Sequence, residues 1–325
     1  MHTDNPHRWL APAGAWPVVP TPFADCGPPT IQAQTLRAII RRLAHTDIAG
    51  LWILGVGAEQ STLTDTEMDL ISQVVLTQAP NLPIAAGVTA ADVSVMTVRA
   101  RRFTDQGCSF VFALEPGSHA STPETTVARM RALTDTGVPT FAYLDTTTWE
   151  DHASTSSDII SALAPLWDLP LAGVKLACQD FRIWAELCQH AQLLGVPVYT
   201  ASGRLTLPAL ALGASGVIAD DVTIAPEHYA ALITAWQNTD LFQARTLQSI
   251  LLALGRAISQ VPVAGAKYAL HRQGLGNTRT RIPANLSAHI YDDIRTTLKT
   301  LETGPALQEL WSHDESTGRT HDGAS

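Results

Sequence analysis

Leu171-Ala172-Gly173-Val174-Lys175-Leu176, entered from Pro170, is the stretch on which the reading of this chain turns. It is a short apolar run with a single charge near its end. A lysine closing such a run ordinarily carries its ammonium out to water on an apolar stem. The rest of the chain changes that reading, because this run is the sixth of a regular series of strand-like segments separated by helical ones. Barrels of alternating strands and helices hold their chemistry at the C-terminal ends of the strands, and Lys175 stands at such an end. A lysine held among apolar walls loses ammonium solvation. Its pKa then falls, and the free amine can attack a carbonyl. Lys175 is therefore a candidate Schiff-base nucleophile.

The series begins at Trp16-Pro17-Val18-Val19-Pro20 and continues through Gly50–Gly55, Pro83–Val88, Phe110–Leu114 and Pro139–Leu144. After Leu171–Leu176 come Pro197–Ala201 and Gly216–Asp220. Helical periodicity fills the intervals: Ile31–His45, a capping box at Thr64-Asp65-Thr66-Glu67 opening a helix through Gln78, then Val93–Gln106, Pro123–Thr136, Ser156–Leu166, Phe181–Leu194 and Leu205–Leu212. Buried strands each followed by a helix predict an all-parallel (β/α)8 TIM barrel over residues 14–225, after a lead-in at 1–13. Beyond Pro226 the strands stop. Glu227–Gln237, Leu241–Val261, Lys267–Arg272 and Ala288–Leu301 read as a C-terminal helical subdomain over 226–303. The polar stretch 304–325 reads as a disordered tail.

Composition narrows the function classes. With 325 residues the chain can bury a large core, and 46% hydrophobic content is that of a globular protein. A net charge of −9 without a basic run argues against nucleic acid and anionic membranes as partners. Met1–Trp9 has no signal-peptide core, and no apolar window approaches the ~18 residues of a membrane span. The four cysteines form no C-x-x-C pair; three lie in strand or helix contexts and read as buried thiols of a reducing cytoplasm.

Around Lys175, alternation places Phe141 and Tyr143 on the same face as Gly173 and Lys175 of the next strand. A phenol beside an amine that gains and loses protons is a sensible proton carrier; a core tyrosine is the alternative. The glycines of Gly55-Val56-Gly57-Ala58-Glu59 let backbone amides approach an anion. Glu59 is either catalytic or bonded to loop amides. Arg204, at the exit of the seventh strand, is either a bidentate partner for a carboxylate or a plain surface arginine. Asp220-Asp221 reads as a solvated loop pair or helix cap in preference to a cation site. The 11 histidines are scattered without ligand spacing, so no metal site is expected. Trp52, Trp184 and Trp236 read as core.

Several of these segments, taken in order, resemble the dihydrodipicolinate synthase / N-acetylneuraminate lyase family of class I aldolases. They are Thr21-Pro22-Phe23, Gly55-x-x-x-Glu59 with Ser61–Thr64 and Glu67, Tyr143, Gly173-Val174-Lys175, Gly213–Ile218, Lys267, Gly274-Leu275 and Arg281-Ile282-Pro283. The resemblance runs from about Gly14 to Leu301. It implies that Lys175 forms an imine with a pyruvate-like 2-oxo acid, that an aldehyde is the second substrate, and that Tyr143 carries protons. It implies no cofactor besides that covalent Schiff base, and a homo-dimer or homo-tetramer. Val56, Gly57 and the backbone of Ile218 would line the pyruvate-like end, with Thr147 and Arg204 further out and Lys267 structural.

The chain also departs from the family pattern. Val56 and Gly57 stand where two hydroxyl residues are usual. Pro116-Gly117-Ser118 replaces a Pro-Tyr-Tyr whose aromatic is exchanged between subunits. Thr147 lies near the place of an arginine that the synthase branch carries after its strand-five tyrosine. The expectation is a lyase or aldolase that is not dihydrodipicolinate synthase itself. The alternatives are a hydro-lyase acting on a keto-deoxy sugar acid through the same imine, and a non-catalytic metabolite-binding barrel.

Overall fold

The computed structural model describes residues 9–114, 122–150, 156–284 and 286–303. The expected disordered tail and the Pro116-Gly117-Ser118 substitution lie outside them. Eight short parallel strands form the sheet: β1 Gly14–Pro17, β2 Leu51–Ile53, β3 Ile84–Gly87, β4 Phe110–Ala113, β5 Thr140–Asp145, β6 Leu171–Ala177, β7 Val198–Thr200 and β8 Gly216–Ala219. Each pairs with its chain neighbour, and β1 pairs with β8. A single parallel bridge between Val18 and Trp52, with the Val19 amide bonded to the Trp52 carbonyl at 2.9 Å, brings β1 and β2 together and closes the barrel.

Around the strands lie α1 Ala33–Ala44, α2 Asp65–Gln78, α3 Val93–Gln106, α4 Pro123–Thr134, α5 Thr147–Glu150, α6 Ser156–Ala162, α7 Phe181–Leu193 and α8 Thr206–Ala211. The expected cap of α2 is present: Thr64 Oγ1 accepts from the Glu67 amide, and the Glu67 carboxylate accepts from the Thr64 amide. Thr122 caps α4 likewise, with Pro123 where a missing amide hydrogen does no harm. The helix expected over Ser156–Leu166 is instead broken. It ends at Ala162, and Ala164–Asp168 forms a 3-10 turn, because Pro165 has no N–H and its ring collides with the preceding turn.

Among the described residues four further helices follow β8: α9 Pro226–Gln237, α10 Leu241–Ser259, α11 Pro262–Arg272 and α12 Ala288–Thr303. α9 packs against β1 and α8 in the outer ring, and α10 lies against α9 and α12. No single helix among the described residues is long and apolar enough to cross a membrane. Cys108 and Cys188 are buried, Cys178 is half-buried and Cys26 is exposed; all are free thiols. Trp184 is buried, while Trp236 is only half covered.

Two apolar layers result from strand alternation. The outward residues of the strands pack with the helices in one large cluster. The inward ones form a second, aromatic cluster of Trp16, Trp52, Phe110, Phe112, Phe141 and Tyr199. Trp16 lies edge-on to Phe110, Phe141 and Tyr199 at 5.7–6.2 Å between centroids, the geometry favoured by ring quadrupoles. The lead-in shuts this end of the barrel. Tyr199 Oη donates to the carbonyls of Ala11 and Pro12, and the Ala11 amide bonds to Ala172 O at 2.9 Å.

Candidate active site

β6 contains an irregularity that decides where Lys175 points. Thr140 is opposite Leu171 but Phe141 is opposite Gly173, which leaves Ala172 as an extra residue on β6. Such a bulge resets the in–out parity of a strand. Leu171, Val174 and Leu176 pack outward against helices, whereas Ala172 joins the inner aromatic layer. Gly173 must lack a side chain, because a Cβ there would lie 2.7 Å from Phe141 Cε1. Beyond it Lys175 turns inward, directly opposite Tyr143 on β5 and Tyr199 on β7.

Lys175 is 6% exposed. Its Nζ stands over the Tyr143 ring at 4.3 Å and over the Trp52 ring at 5.0 Å. Among the described residues no hydrogen-bond acceptor is paired with it. Burial lowers its pKa to about 8, and the charges of Asp220 and Asp145 hold it from falling further. About a tenth of the amine is therefore unprotonated at pH 7, far more than for a freely solvated lysine. Burial pushes the Tyr143 phenol well above its ordinary pKa, and the same two carboxylates push it further, so it holds its proton tightly.

The loop after β2 is the second component. Val56–Ala58 form a 3-10 turn closed by the amides of Ala58, Glu59 and Gln60, which leaves the amides of Val56 and Gly57 outside the turn's own bonds. Leu54 and Glu59, at its two ends, have φ of +58° and +56°. Left-handed backbone is strained for such residues, and it persists only where the surroundings enforce it. The enforcement is visible at Glu59. Its buried carboxylate accepts from Lys267 Nζ at 2.5 Å, from the Arg281 amide at 2.7 Å and from the Ile282 amide at 2.9 Å. Glu59 is thus bonded to amides, but to those of the distant Arg281 and Ile282 and not of its own loop, with Lys267 as an ionic partner.

Of the other expected site residues, Val56 is 63% exposed at the top of the loop, and Gly57 is buried beneath it. Ile218 is fully buried in the inner layer opposite Trp16. Thr147 opens α5, where its hydroxyl and amide donate to Asp145 Oδ1 at 2.5 and 3.2 Å. Arg204 is exposed, and its stem crosses α10 where a Cβ on Gly255 would lie 2.5 Å from its Cγ. The structure thus brings Lys175 and Tyr143 together, sets Gly57 beside Asp220, keeps Ile218 in the inner layer opposite Trp16 and leaves Arg204 against α10.

Two contributors were not legible in the sequence. Trp52 is core, as expected, but its ring faces the amine. Asp220-Asp221 is not a solvated pair. Asp221 is buried with Oδ2 accepting from Tyr229 Oη at 2.7 Å, and burial lifts its pKa to about 6. Asp220 is partly buried, with Oδ1 only 2.0 Å from where a Cβ on Gly57 would stand. The signal available was parity: Ile218 inward and Ala219 outward require Asp220 inward.

Comparison with known proteins shows the same fold and the family. Residues 11–301 match the model of the dihydrodipicolinate synthetase family. The 4-hydroxy-tetrahydrodipicolinate synthase of Haloarcula marismortui is 25% identical over 298 residues, covering 89% of this chain and 94% of its own. Among solved structures, a prophage protein of the dihydrodipicolinic acid synthase family from E. coli K12, determined in complex with pyruvate, has a TM-score of 0.77 at 18% identity, over 89% of this chain and 98% of its own. N-acetylneuraminate lyase from Fusobacterium nucleatum has a TM-score of 0.76 at 17% identity, with coverage of 89% and 98%. With the family model matched over residues 11–301, nearly its whole length, this chain belongs to the dihydrodipicolinate synthetase family of aldolases and lyases.

Proposed function

We propose that this enzyme is a Schiff-base lyase or aldolase that joins a 2-oxo acid to Lys175, uses an aldehyde as its other substrate, and is not a dihydrodipicolinate synthase. The observation that carries the reading is the buried Lys175 amine, unpaired among the described residues, with its pKa lowered to about 8 beside Tyr143. An amine in that state is nucleophilic near neutral pH, and its surroundings keep water from competing. The pyruvate bound by the E. coli relative supports a 2-oxo acid as donor. Its carboxylate would be received by the free amides of Val56 and Gly57, and its carbonyl would meet Nζ. Tyr143, holding its proton, serves as donor to the developing oxygen or carbon centre. No group beyond the lysine is required for this chemistry.

The acceptor side disfavours an aldehyde carrying its own carboxylate. Asp145 ends β5 close enough to influence both Lys175 and Tyr143, and Thr147 is committed to it. Arg204, the nearest expected cation, runs over α10. Loss of a charge-assisted contact costs on the order of 1.5–3 kcal/mol, one to two decades in rate.

Incubation with pyruvate and borohydride, followed by peptide mass analysis, should place the reduced adduct on Lys175; an adduct on another lysine alone would refute the assignment. Tyr143→Phe should fold normally and lose roughly 10²–10⁴-fold in turnover. With pyruvate and aspartate semialdehyde, turnover should stay well below the ~10 s⁻¹ of ordinary enzymes.

A further inference from the structure

The indole of Trp52 has a polar edge that the fold leaves unused. Trp52 is 1% exposed, and its ring is locked in place. It stacks on Phe112 at 3.7 Å and lies edge-on to Phe141 at 5.2 Å and to Tyr143 at 6.3 Å between centroids. The direction of its N–H is therefore fixed. Among the described residues, Nε1 donates to no acceptor. Two other buried polar rings of the inner layer are spent on the lead-in: Trp16 Nε1 donates to Pro12 O at 3.2 Å, and Tyr199 Oη donates to Ala11 O and Pro12 O. Unlike the sealed Nδ1 of His228, Trp52 Nε1 keeps some accessible surface. A buried donor without a partner is unfavourable, and a phenyl ring would fill the same layer without one.

Two neighbours show where that edge faces. Lys175 Nζ lies 5.0 Å from the ring centroid. At the N–H edge, a Cβ on Gly55 would stand 3.3 Å from Nε1 and 3.5 Å from Cδ1. Because residue 55 is glycine, no side chain covers the indole N–H. Gly55 also opens the loop whose Val56 and Gly57 amides make no bond within the turn, and whose Val56 and Gly57 bring no hydroxyl. The Gly57 end of that loop is different. Asp220 Oδ1 stands 2.0 Å from where a Cβ on Gly57 would be, so that end already faces a carboxylate. An incoming anion is directed to the Gly55 end, where the indole N–H, the Val56 amide and Lys175 are all donors.

Resting on the reading of the donor as a 2-oxo acid, we propose that Trp52 is a substrate-binding residue whose indole N–H donates to the donor's carboxylate, beside the Val56 amide. In a 2-oxo acid the carbon that receives Nζ and the carboxyl carbon are adjacent. A ring that meets both Nζ and the first residue of the loop spans that separation. The contact forms before the imine and persists after it. It therefore governs the affinity and orientation of the donor, and it favours one that carries an anionic oxygen next to the reacting carbonyl.

The test removes the N–H and keeps the ring. 3-(3-Benzothienyl)alanine in place of Trp52 carries sulfur where the indole carries N–H, and Trp52→Phe is the second variant. Trapping at Lys175 with cyanoborohydride is followed by peptide mass with pyruvate, which carries the carboxylate, and with formaldehyde, which does not. In both variants the pyruvate concentration for half-maximal trapping should rise roughly 10–100-fold, the worth of a hydrogen bond to a charged group. Formaldehyde trapping should stay within about threefold of wild type, since both replacements keep an aromatic face toward the amine. A pyruvate requirement within about threefold of wild type in the benzothienyl variant overturns the role of Trp52 alone. Equal losses with both probes also overturn it, because the ring then only shapes the space around the amine. A wild-type protein that traps formaldehyde but never pyruvate overturns the 2-oxo acid reading and the Trp52 contact together.

Discussion

Lys175 is held against its own solvation. Its pKa is about 8 in the folded protein, against 10.5 for a freely solvated lysine side chain. The folded chain therefore binds fewer protons than the unfolded chain between these values, and stability rises with pH across that window. Below pH 8 the full penalty of burying the ammonium is present. Lys175→Met should relieve a penalty on the order of 3 kcal/mol, less what the lost cation–π contacts with Trp52 and Tyr143 contributed. The variant should melt above wild type at neutral pH and lose that advantage as pH climbs from 8 to 10.5. Melting curves at several pH values decide it; a variant that melts lower throughout would mean that Lys175 sits comfortably as a cation. A residue that folding alone disfavours is what a functional site looks like.

At the scale of the element, β6 carries more information than its composition reveals. The strands were legible because each is a short apolar run between turn residues. The helix caps were legible because Thr64 and Thr122 carry partners at fixed offsets. The bulge was not. Leu171-Ala172-Gly173 reads equally well as plain strand, and only its pairing with Thr140 and Phe141 shows Ala172 to be extra. Asp220 was hidden for a related reason, since its neighbour Gly57 is 163 positions away and a glycine announces nothing about what fills its space. The break at Pro165 was readable and was outweighed by the apolar pattern around it. Gly173 offers a test of the strand's geometry. Phe141 is fully buried among Trp16, Trp52 and Phe110, so it cannot yield to a methyl group 2.7 Å away. Gly173→Ala should cost about 1–3 kcal/mol by overpacking and slow pyruvate trapping at Lys175. Unchanged melting and trapping would show that the inner layer has slack.

Over the whole molecule, the C-terminal helices do more than cover the barrel. Lys267 on α11 and the amides of Arg281 and Ile282 hold Glu59, while the Arg281 guanidinium reaches Glu67 and the carbonyls of Pro29 and Thr62. The strained loop over the site is thereby fastened to a distant part of the chain. Lys267→Met would strand the buried Glu59 carboxylate, at about 3–5 kcal/mol, and Glu59→Gln in the same chain should recover most of the loss. Calorimetric melting of the single and double variants checks this, and additive losses would show that the pair is not coupled.

That fastening also sets an order in time. Glu59 and Lys267 are 208 positions apart. A ribosome adding about 5–20 residues per second makes the first on the order of 10–40 s before the second. The nascent chain thus carries its reactive lysine while the loop that would address a carbonyl donor has no anchor. A chain that ends before α11 lacks the partners that hold the buried Glu59 carboxylate and its loop.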